Sequence, residues 1–443
     1  MSDTTTIRDP LWNTIRLDRD AVRIVDAPAF QRLRHIKQLG HAHLVYPGAT
    51  HTRFDHALGV YHLIHQAMTL LDRRGALRAL EPMDLRIIPL AGLLHDIGHY
   101  PFSHAIEELQ STRIPGHHEA LVGRFFADAS VAAALADVGP DAPARVEALI
   151  RGTSDHPLRG LVSGSLDLDK IDYLKRDAMF CGVPYGEVDV DRLLHALTVA
   201  ADPATGRPEI AVREKGVAAL ESLLFAKYQM FRNVYWHHAV RSATVLYKRI
   251  VGDALDAGLL GADELVGETD EGVLYRIAAR AAAAPGEAAA QIGAWTADLR
   301  NRCLPKRAGE VVAAELGGRG VAGWLEEESP LKRRVEDAIA LALGLSAGDV
   351  FLDYPEKTAM FGLDLLVERR DGRVERVGPE GQAGLIGLPR VANELYRTAR
   401  VLRLFTHGAR VEVRSDVLME LASLDRAHIV ARLAAGRTLL GSG

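Results

Sequence analysis

Cysteine is nearly absent from this chain of 443 residues: Cys181 and Cys303 are the whole complement. Two thiols make no disulfide framework, which points to a reducing compartment, the cytoplasm. Neither sits in a motif, and both are expected to be small buried side chains. No apolar run reaches the ~18 residues that a membrane span needs, and Met1-Ser2-Asp3-Thr4-Thr5-Thr6 lacks the apolar stretch of a signal peptide, so no membrane partner is expected. Excess positive charge is missing too. The formal net charge is −5, which argues against a general nucleic-acid coat. No internal repeat is found. What the chain has is core material, with 48% hydrophobic residues, and a length beyond what one core usually supports, so a main domain with an accessory region is expected.

Histidine is concentrated: twelve of the eighteen lie between His35 and His118. The densest stretch is His95-Asp96-Ile97-Gly98-His99-Tyr100-Pro101-Phe102-Ser103-His104. Ile87 to Leu94 is apolar enough for a buried helix that Gly98 and Pro101 stop, which puts His95 and Asp96 in its last turn with His99 and His104 just beyond. Upstream, His56 in His51-Thr52-Arg53-Phe54-Asp55-His56 opens a second periodic stretch. Downstream, Asp167-Leu168-Asp169-Lys170-Ile171-Asp172-Tyr173 begins a charged helix. The order His, His-Asp, Asp offers four ligands from three helices and leaves coordination positions open for water, as hydrolytic metals require. Imidazole with carboxylate suits Mn, Fe, Ni or Zn better than Mg.

These motifs, with Ile7-Arg8-Asp9-Pro10, the run from Asp26 to Gly40 and Tyr46-Pro47-Gly48-Ala49, resemble those of HD-domain phosphohydrolases. Within that superfamily the chain is similar to the sterile-alpha-motif/HD-domain deoxynucleoside triphosphate triphosphohydrolases and their bacterial dGTPase-like relatives, over more than half its length. The resemblance implies His56, His95, Asp96 and Asp169 as metal ligands, and His104, Glu107 and His118 as catalytic groups, with His117 open as an alternative to His118. A His three residues from a carboxylate on a helix shares its face and can be oriented by it. Arg53, His99, Lys170, Tyr173 and Lys227 match triphosphate-holding positions, which suits a ligand that needs both a guanidinium fork and point charges. Lys227 stands where relatives carry Arg. Gln38 and Leu39 match the pair facing the deoxyribose, Asp177 and Tyr235 other sugar-pocket positions, and Phe231 stands where relatives place His. Asp26, Gln31, Arg34, Arg213 and Lys215 match a guanine-nucleotide activator site, although the Lys expected before Ile7 is replaced by Thr5 and Thr6; on a helix the first three read equally well as a solvated face.

The expected fold is mainly α: an HD-domain helical core with a smaller mixed α/β C-terminal lobe. Residues 1–300 would form the catalytic domain, its metal core at about 50–180, and residues 301–443 an accessory, oligomerisation or regulatory region. Helices are expected around 18–38, 54–75, 84–97, 117–135, 142–151, 167–178, 189–199 and 214–256, with an Ala-rich helical tract from Ile277 to Ala290 broken at Pro285-Gly286. Strands are expected at Pro208–Val212, Val350–Tyr354, Leu363–Glu368 and Arg400–Phe405, with a tight turn at Asp371-Gly372. The implied activity is metal-dependent cleavage of dNTP to deoxynucleoside and inorganic triphosphate, by metal-activated water attack on the α-phosphorus, in a homo-oligomer, dimer or tetramer. Another nucleotide phosphatase, a cyclic-nucleotide phosphodiesterase, or a silent regulator that binds nucleotide or nucleic acid are the alternatives.

Overall fold

The computed structural model describes residues 4–109, 113–319, 321–326, 329–355, 362–382 and 384–440. The fold is mainly helical with small sheets. A hairpin comes first, β1 (Thr5–Asp9) antiparallel to β2 (Asn13–Leu17). The helices α1 (Arg19–Val25), α2 (Pro28–Gln31), α3 (Arg53–Arg73), α4 (Pro82–Leu94), α5 (Ser103–Ile106), α6 (His118–Phe125), α7 (Ala129–Val138), α8 (Ala142–Ile150), α9 (Leu168–Cys181) and α10 (Val190–Ala196) lead to β3 (Leu197–Ala201) and β4 (Pro208–Arg213). Then come α11 (Val217–Met230), α12 (His238–Asp256), α13 (Asp270–Ala283), α14 (Glu287–Arg300), β5 (Lys306–Val312), α15 (Pro330–Ala342), β6 (Val350–Asp353), β7 (Leu365–Glu368), β8 (Val374–Val377), α16 (Ala392–Ala399), β9 (Val401–Thr406), α17 (Ser415–Ser423) and α18 (Arg426–Ala434).

Three helices frame the site, and local chemistry sets where each begins. Asp55 accepts the Thr52 backbone N–H at 2.8 Å, a reciprocal cap that starts α3. Pro82 opens α4, where a missing N–H costs nothing. Asp167 caps α9 by accepting the Lys170 N–H at 3.1 Å, and Gly182, at φ 67°, ends it in the left-handed conformation that glycine adopts without penalty. Helix α3 packs on both α4 and α9. Leu63, Ile64, Leu90, Leu93, Leu168 and Leu174 bury the seams. Behind them a second apolar cluster joins α12 to α14 through Tyr247, Ile250, Ile277 and Trp295.

The sheets tie distant segments together. β4 pairs antiparallel with β3 and parallel with β7, and β8 closes that sheet. Leu365 and Val367 of β7 enter the same core as α3 and α4. β9 lies between β5 and β6 in a separate sheet backed by Val335 and Ile339 of α15.

Several elements differ from expectation. The stretch 18–38 is not one helix, because Pro28 forces Ala27 into an extended conformation between α1 and α2. The stretch 117–135 divides where Asp128 caps α7 by accepting the N–H groups of Ser130 and Val131. Residues 197–199, expected as helix end, instead pair with β4. The stretch 214–256 is broken at residues 231–237. Cys303 is exposed rather than buried, just past α14, and Cys181 is half-buried. Among the described residues no helix is long and apolar enough to cross a membrane.

Candidate metal centre and substrate cavity

The first turn of α3, the end of α4 and the first turn of α9 bring His56, His95, Asp96 and Asp169 to one point. His56 Nε2 lies 2.8 Å from Asp169 Oδ1 and 3.8 Å from Asp96 Oδ2. His95 Nε2 lies 3.2 Å from Asp96 Oδ1 and 3.6 Å from Asp169 Oδ1. The opposite nitrogens are anchored: His56 Nδ1 donates to Asp172 Oδ2 at 2.8 Å and His95 Nδ1 to the Gly92 carbonyl at 2.8 Å. A carboxylate and a carbonyl only accept, so both rings carry a proton on Nδ1 and turn Nε2 inward.

This donor set fits a divalent ion. Both Nε2 atoms are buried without an aligned hydrogen-bond partner, a costly state for a polar atom unless something else satisfies it. Burial alone would push His56 down, yet the carboxylates of Asp169 and Asp172 outweigh it and push its pKa up to about 10. His95 is likewise raised, with burial opposing and Asp96 and Asp169 prevailing. Asp96 is held well below the usual carboxylate range, by His95, Arg53 and His99 against the effect of burial. Three carboxylates around two imidazoles thus draw in positive charge, as protons or as a metal. His56, His95 and Asp96 could hold an ion together.

Arg53, buried beside this point, donates to Asp96 Oδ2 at 2.6 Å. His99 Nε2 is 3.2 Å from Asp96 Oδ1, and its Nδ1 is 2.5 Å from Ser103 Oγ. Next to them, Glu107 gathers two histidines: His118 Nδ1 donates to Oε1 at 2.8 Å, and His104 Nδ1 is 3.3 Å from Oε2. Burial would raise the Glu107 carboxyl, but His104 and His118 hold it far below its ordinary value. His117 is exposed, and His118 is the one that meets Glu107. The His118 ring stacks on His99 with centroids 3.6 Å apart. Gly98 makes this approach possible, since a Cβ there would lie 2.1 Å from the His118 carbonyl oxygen.

His95, Asp96, Asp169, His104, Glu107 and His118 face a cavity of about 810 Å³, with His56 buried behind them. Gln38, Leu39, Arg53, His99, Lys170, Tyr173, Asp177, Lys227 and Tyr235 line it, as does Phe231. Lys170 Nζ meets Asp167 Oδ2 at 2.5 Å, and Asp167 and Asp169 raise its pKa against burial, so it keeps its charge. Asp177 accepts from His51 Nε2 at 2.8 Å and from the Tyr235 hydroxyl at 2.7 Å. A π-helical turn, Phe231–Tyr235, joins α11 to α12 here, a feature common at functional sites. Asp172, His41, His51 and Arg241 also belong to this neighbourhood, although their local sequence does not announce them. Only Asp172 leaves a trace, one helical turn after Asp169.

The residues matched to an activator site are not brought together within one chain. Gln31 accepts from Arg34 Nε at 2.8 Å, and Arg34 lies 3.5 Å over the Phe54 ring at the start of α3. Asp26 is exposed nearby at the end of α1. Arg213 donates to Glu368 at 3.0 Å, with Lys215 exposed beyond it. Its neighbouring strand β3 adjoins the other end of α3, where Arg74 donates to the Leu197 carbonyl at 2.7 Å. A helix of 21 residues spans about 30 Å, which separates the two groups.

Two family models match this chain: the HD domain over residues 53–176, which holds every proposed ligand, and the HD associated region over residues 188–377. The chain carries an HD domain followed by an HD associated region. This HD-domain protein is 37% identical over 246 residues to an uncharacterised protein of Methanocaldococcus jannaschii, covering 55% of this chain and 49% of that one. It is 29% identical over 261 residues to a deoxynucleoside triphosphate triphosphohydrolase of Danio rerio, covering 52% and 42%. The chain spans about half the length of the curated relatives it matches. A crystal structure described as a phosphohydrolase from Bacteroides thetaiotaomicron shares the fold, with a TM-score of 0.69 at 22% identity over 91% of this chain and 100% of that one.

Proposed function

We propose that this HD-domain protein is a dNTP triphosphohydrolase, converting dNTP to deoxynucleoside and inorganic triphosphate. The observation that carries the reading is that one cavity of about 810 Å³ gathers the His-Asp centre, the His104–Glu107–His118 set and the cations Arg53, Lys170 and Lys227. The relative from Danio rerio that bears this activity in its name supports it. His56, His95, Asp96 and Asp169 would hold a divalent ion, which when bound supplies Lewis-acid polarisation of a phosphoryl oxygen and lowers the pKa of water. Arg53, Lys170 and Lys227 neutralise the triphosphate and fix the α-phosphorus toward the centre. Glu107 orients both imidazoles through their Nδ1 atoms, leaving each Nε2 for the reaction. His104, open to the cavity, would protonate the 5′-oxygen as the bond from α-phosphorus to that oxygen breaks. Gln38, Leu39, Asp177 and Tyr235 shape the sugar pocket.

The test is incubation of the purified protein with each dNTP and NTP under Mn²⁺ or Mg²⁺, with products separated by chromatography. Inorganic triphosphate with deoxynucleoside is the expected result. Release of orthophosphate or pyrophosphate alone overturns it and points to another phosphatase chemistry.

A guanine nucleotide reaching both Asp26-Gln31-Arg34 and Arg213-Lys215 would have to join two copies of the chain, so its binding would favour a homo-oligomer by mass action. Light scattering with and without GTP, beside Arg34→Ala, tests this; a mass and turnover that ignore both nucleotide and substitution remove the activator reading.

A further inference from the structure

Ligand His56 is held from behind by a closed set of buried polar groups that starts in the N-terminal hairpin. Asp172, fully buried on α9, receives four hydrogen bonds. Its Oδ2 accepts from His56 Nδ1 and Arg176 Nε, each at 2.8 Å, and its Oδ1 from Arg176 Nη2 at 2.9 Å and from the Trp12 indole Nε1 at 2.5 Å. Four donors fill the acceptor sites of a carboxylate. Arg176, also fully buried, spends Nη1 on Asp9 Oδ2 at 2.8 Å. Asp9 in turn bends the hairpin, its Oδ1 accepting the backbone N–H groups of Leu11 at 2.9 Å and Trp12 at 2.7 Å. The loop thereby presents the indole to Asp172. Gly59 of α3 leaves the space, for a Cβ there would fall 1.9 Å from Asp172 Oδ1 and 2.5 Å from Arg176 Nη2.

We propose that Trp12 and Asp9 are positioning residues for the metal centre: through Asp172 they fix the ring orientation and tautomer of His56, and so set how tightly the centre holds its ion. The inference rests on reading His56 as a ligand. A carboxylate behind a ligating imidazole orients it and raises its donor strength, and loss of such support costs metal affinity about 10–100-fold. Asp172 can do this only if its own orientation is fixed. Arg176 grips it along one edge, and the indole closes the remaining side. The first strand pair is thus mechanically joined to the site, although no residue of the hairpin is in the ligand set.

The test is the Mn²⁺ dissociation constant, by competition with a chelating dye, for wild type, Trp12→Phe, Asp9→Asn and the double variant His95→Ala/Asp96→Ala. Circular dichroism of each apoprotein sets a common temperature at which all are folded. Trp12→Phe, which keeps an aromatic ring and loses the donor, is expected to weaken Mn²⁺ about 10-fold, and Asp9→Asn in the same direction by less. Thr14→Ala, on the exposed side of the hairpin beside Arg8, is expected to leave affinity unchanged. A wild type that binds no more tightly than His95→Ala/Asp96→Ala overturns the ligand reading itself. A wild type that binds tightly while Trp12→Phe and Asp9→Asn bind equally well overturns the inference alone, and so does a loss of equal size in Thr14→Ala.

Discussion

Substituting His41 with Phe isolates a single buried proton site and makes its effect on stability measurable. The His41 ring is 4% exposed, stacked on Phe102 at 4.1 Å and against Tyr247 at 5.2 Å, with Nε2 lacking a hydrogen-bond partner. Burial first, and then the neighbouring His43 and Lys37, push its pKa down from 6.5 to about 3. The unfolded chain therefore takes up a proton near 6.5, whereas the folded chain resists until about 3. Stability is intact above 6.5 and is lost as pH falls through that window. At pH 5 the loss is about 2 kcal/mol, and it approaches roughly 5 kcal/mol near pH 3. His41→Phe keeps the stack and removes the proton. Urea unfolding of both proteins at pH 7.5 and pH 5 should show the wild type losing about 2 kcal/mol more than the variant. Asp270, which accepts the Lys37 N–H at 2.9 Å and is pushed up to about 6 by burial, responds oppositely. It is common to both proteins and cancels in the difference. Equal pH dependence in the two would refute the reasoning.

His104→Ala should lower dNTP turnover by ~10² or more while equilibrium binding of the dNTP stays near wild type; a matching loss of binding would make His104 a substrate contact instead. Gly98→Ala sets a Cβ against the His118 carbonyl, displaces the start of α6 and separates His118 from Glu107, so kcat should fall, with a stability loss of about 1–3 kcal/mol; unchanged kcat and Tm would show that the backbone yields freely. Arg241 donates to Glu108 at 2.8 and 2.9 Å and to Asp353 at 2.6 Å inside the protein. Arg241→Met strands the buried Asp353, while Glu108 keeps Lys248 at 2.9 Å, and should cost about 3–5 kcal/mol in denaturant unfolding; a neutral result would mean that water reaches Asp353.

The helices around the centre were legible in the sequence because their caps and glycines are local, and the histidines and acids of the motifs do meet in one cavity. Partners chosen by tertiary packing were not. Trp12 and Asp172 are 160 residues apart, and nothing near Trp12 marks its indole as a donor to a carboxylate. His41 reads like any loop histidine until Phe102 and Tyr247 close on it. A parallel partner leaves no local trace either, so the pairing of β7 with β4 could be learned only from the fold. Pro28 and Asp128 each carry the local signal of a helix boundary inside the stretches 18–38 and 117–135. The strands β1, β2, β5 and β8 carry no such signal, because short strands with charged residues lack a clear alternation.

The π turn at Phe231–Tyr235 has a consequence of phase. Four residues along an α-helix overshoot a full turn by about 40°, so Lys227, Phe231 and Tyr235 would drift steadily round a regular helix. The wider π turn falls short of a full turn over the same interval and rotates the drift back. Three side chains separated by fours stay aligned on one cavity wall, as a vernier brings two rulers into step. Removing one residue from this turn would wind α12 out of step with α11 and turn Tyr235 away from Asp177, while adding no unfavourable side chain anywhere.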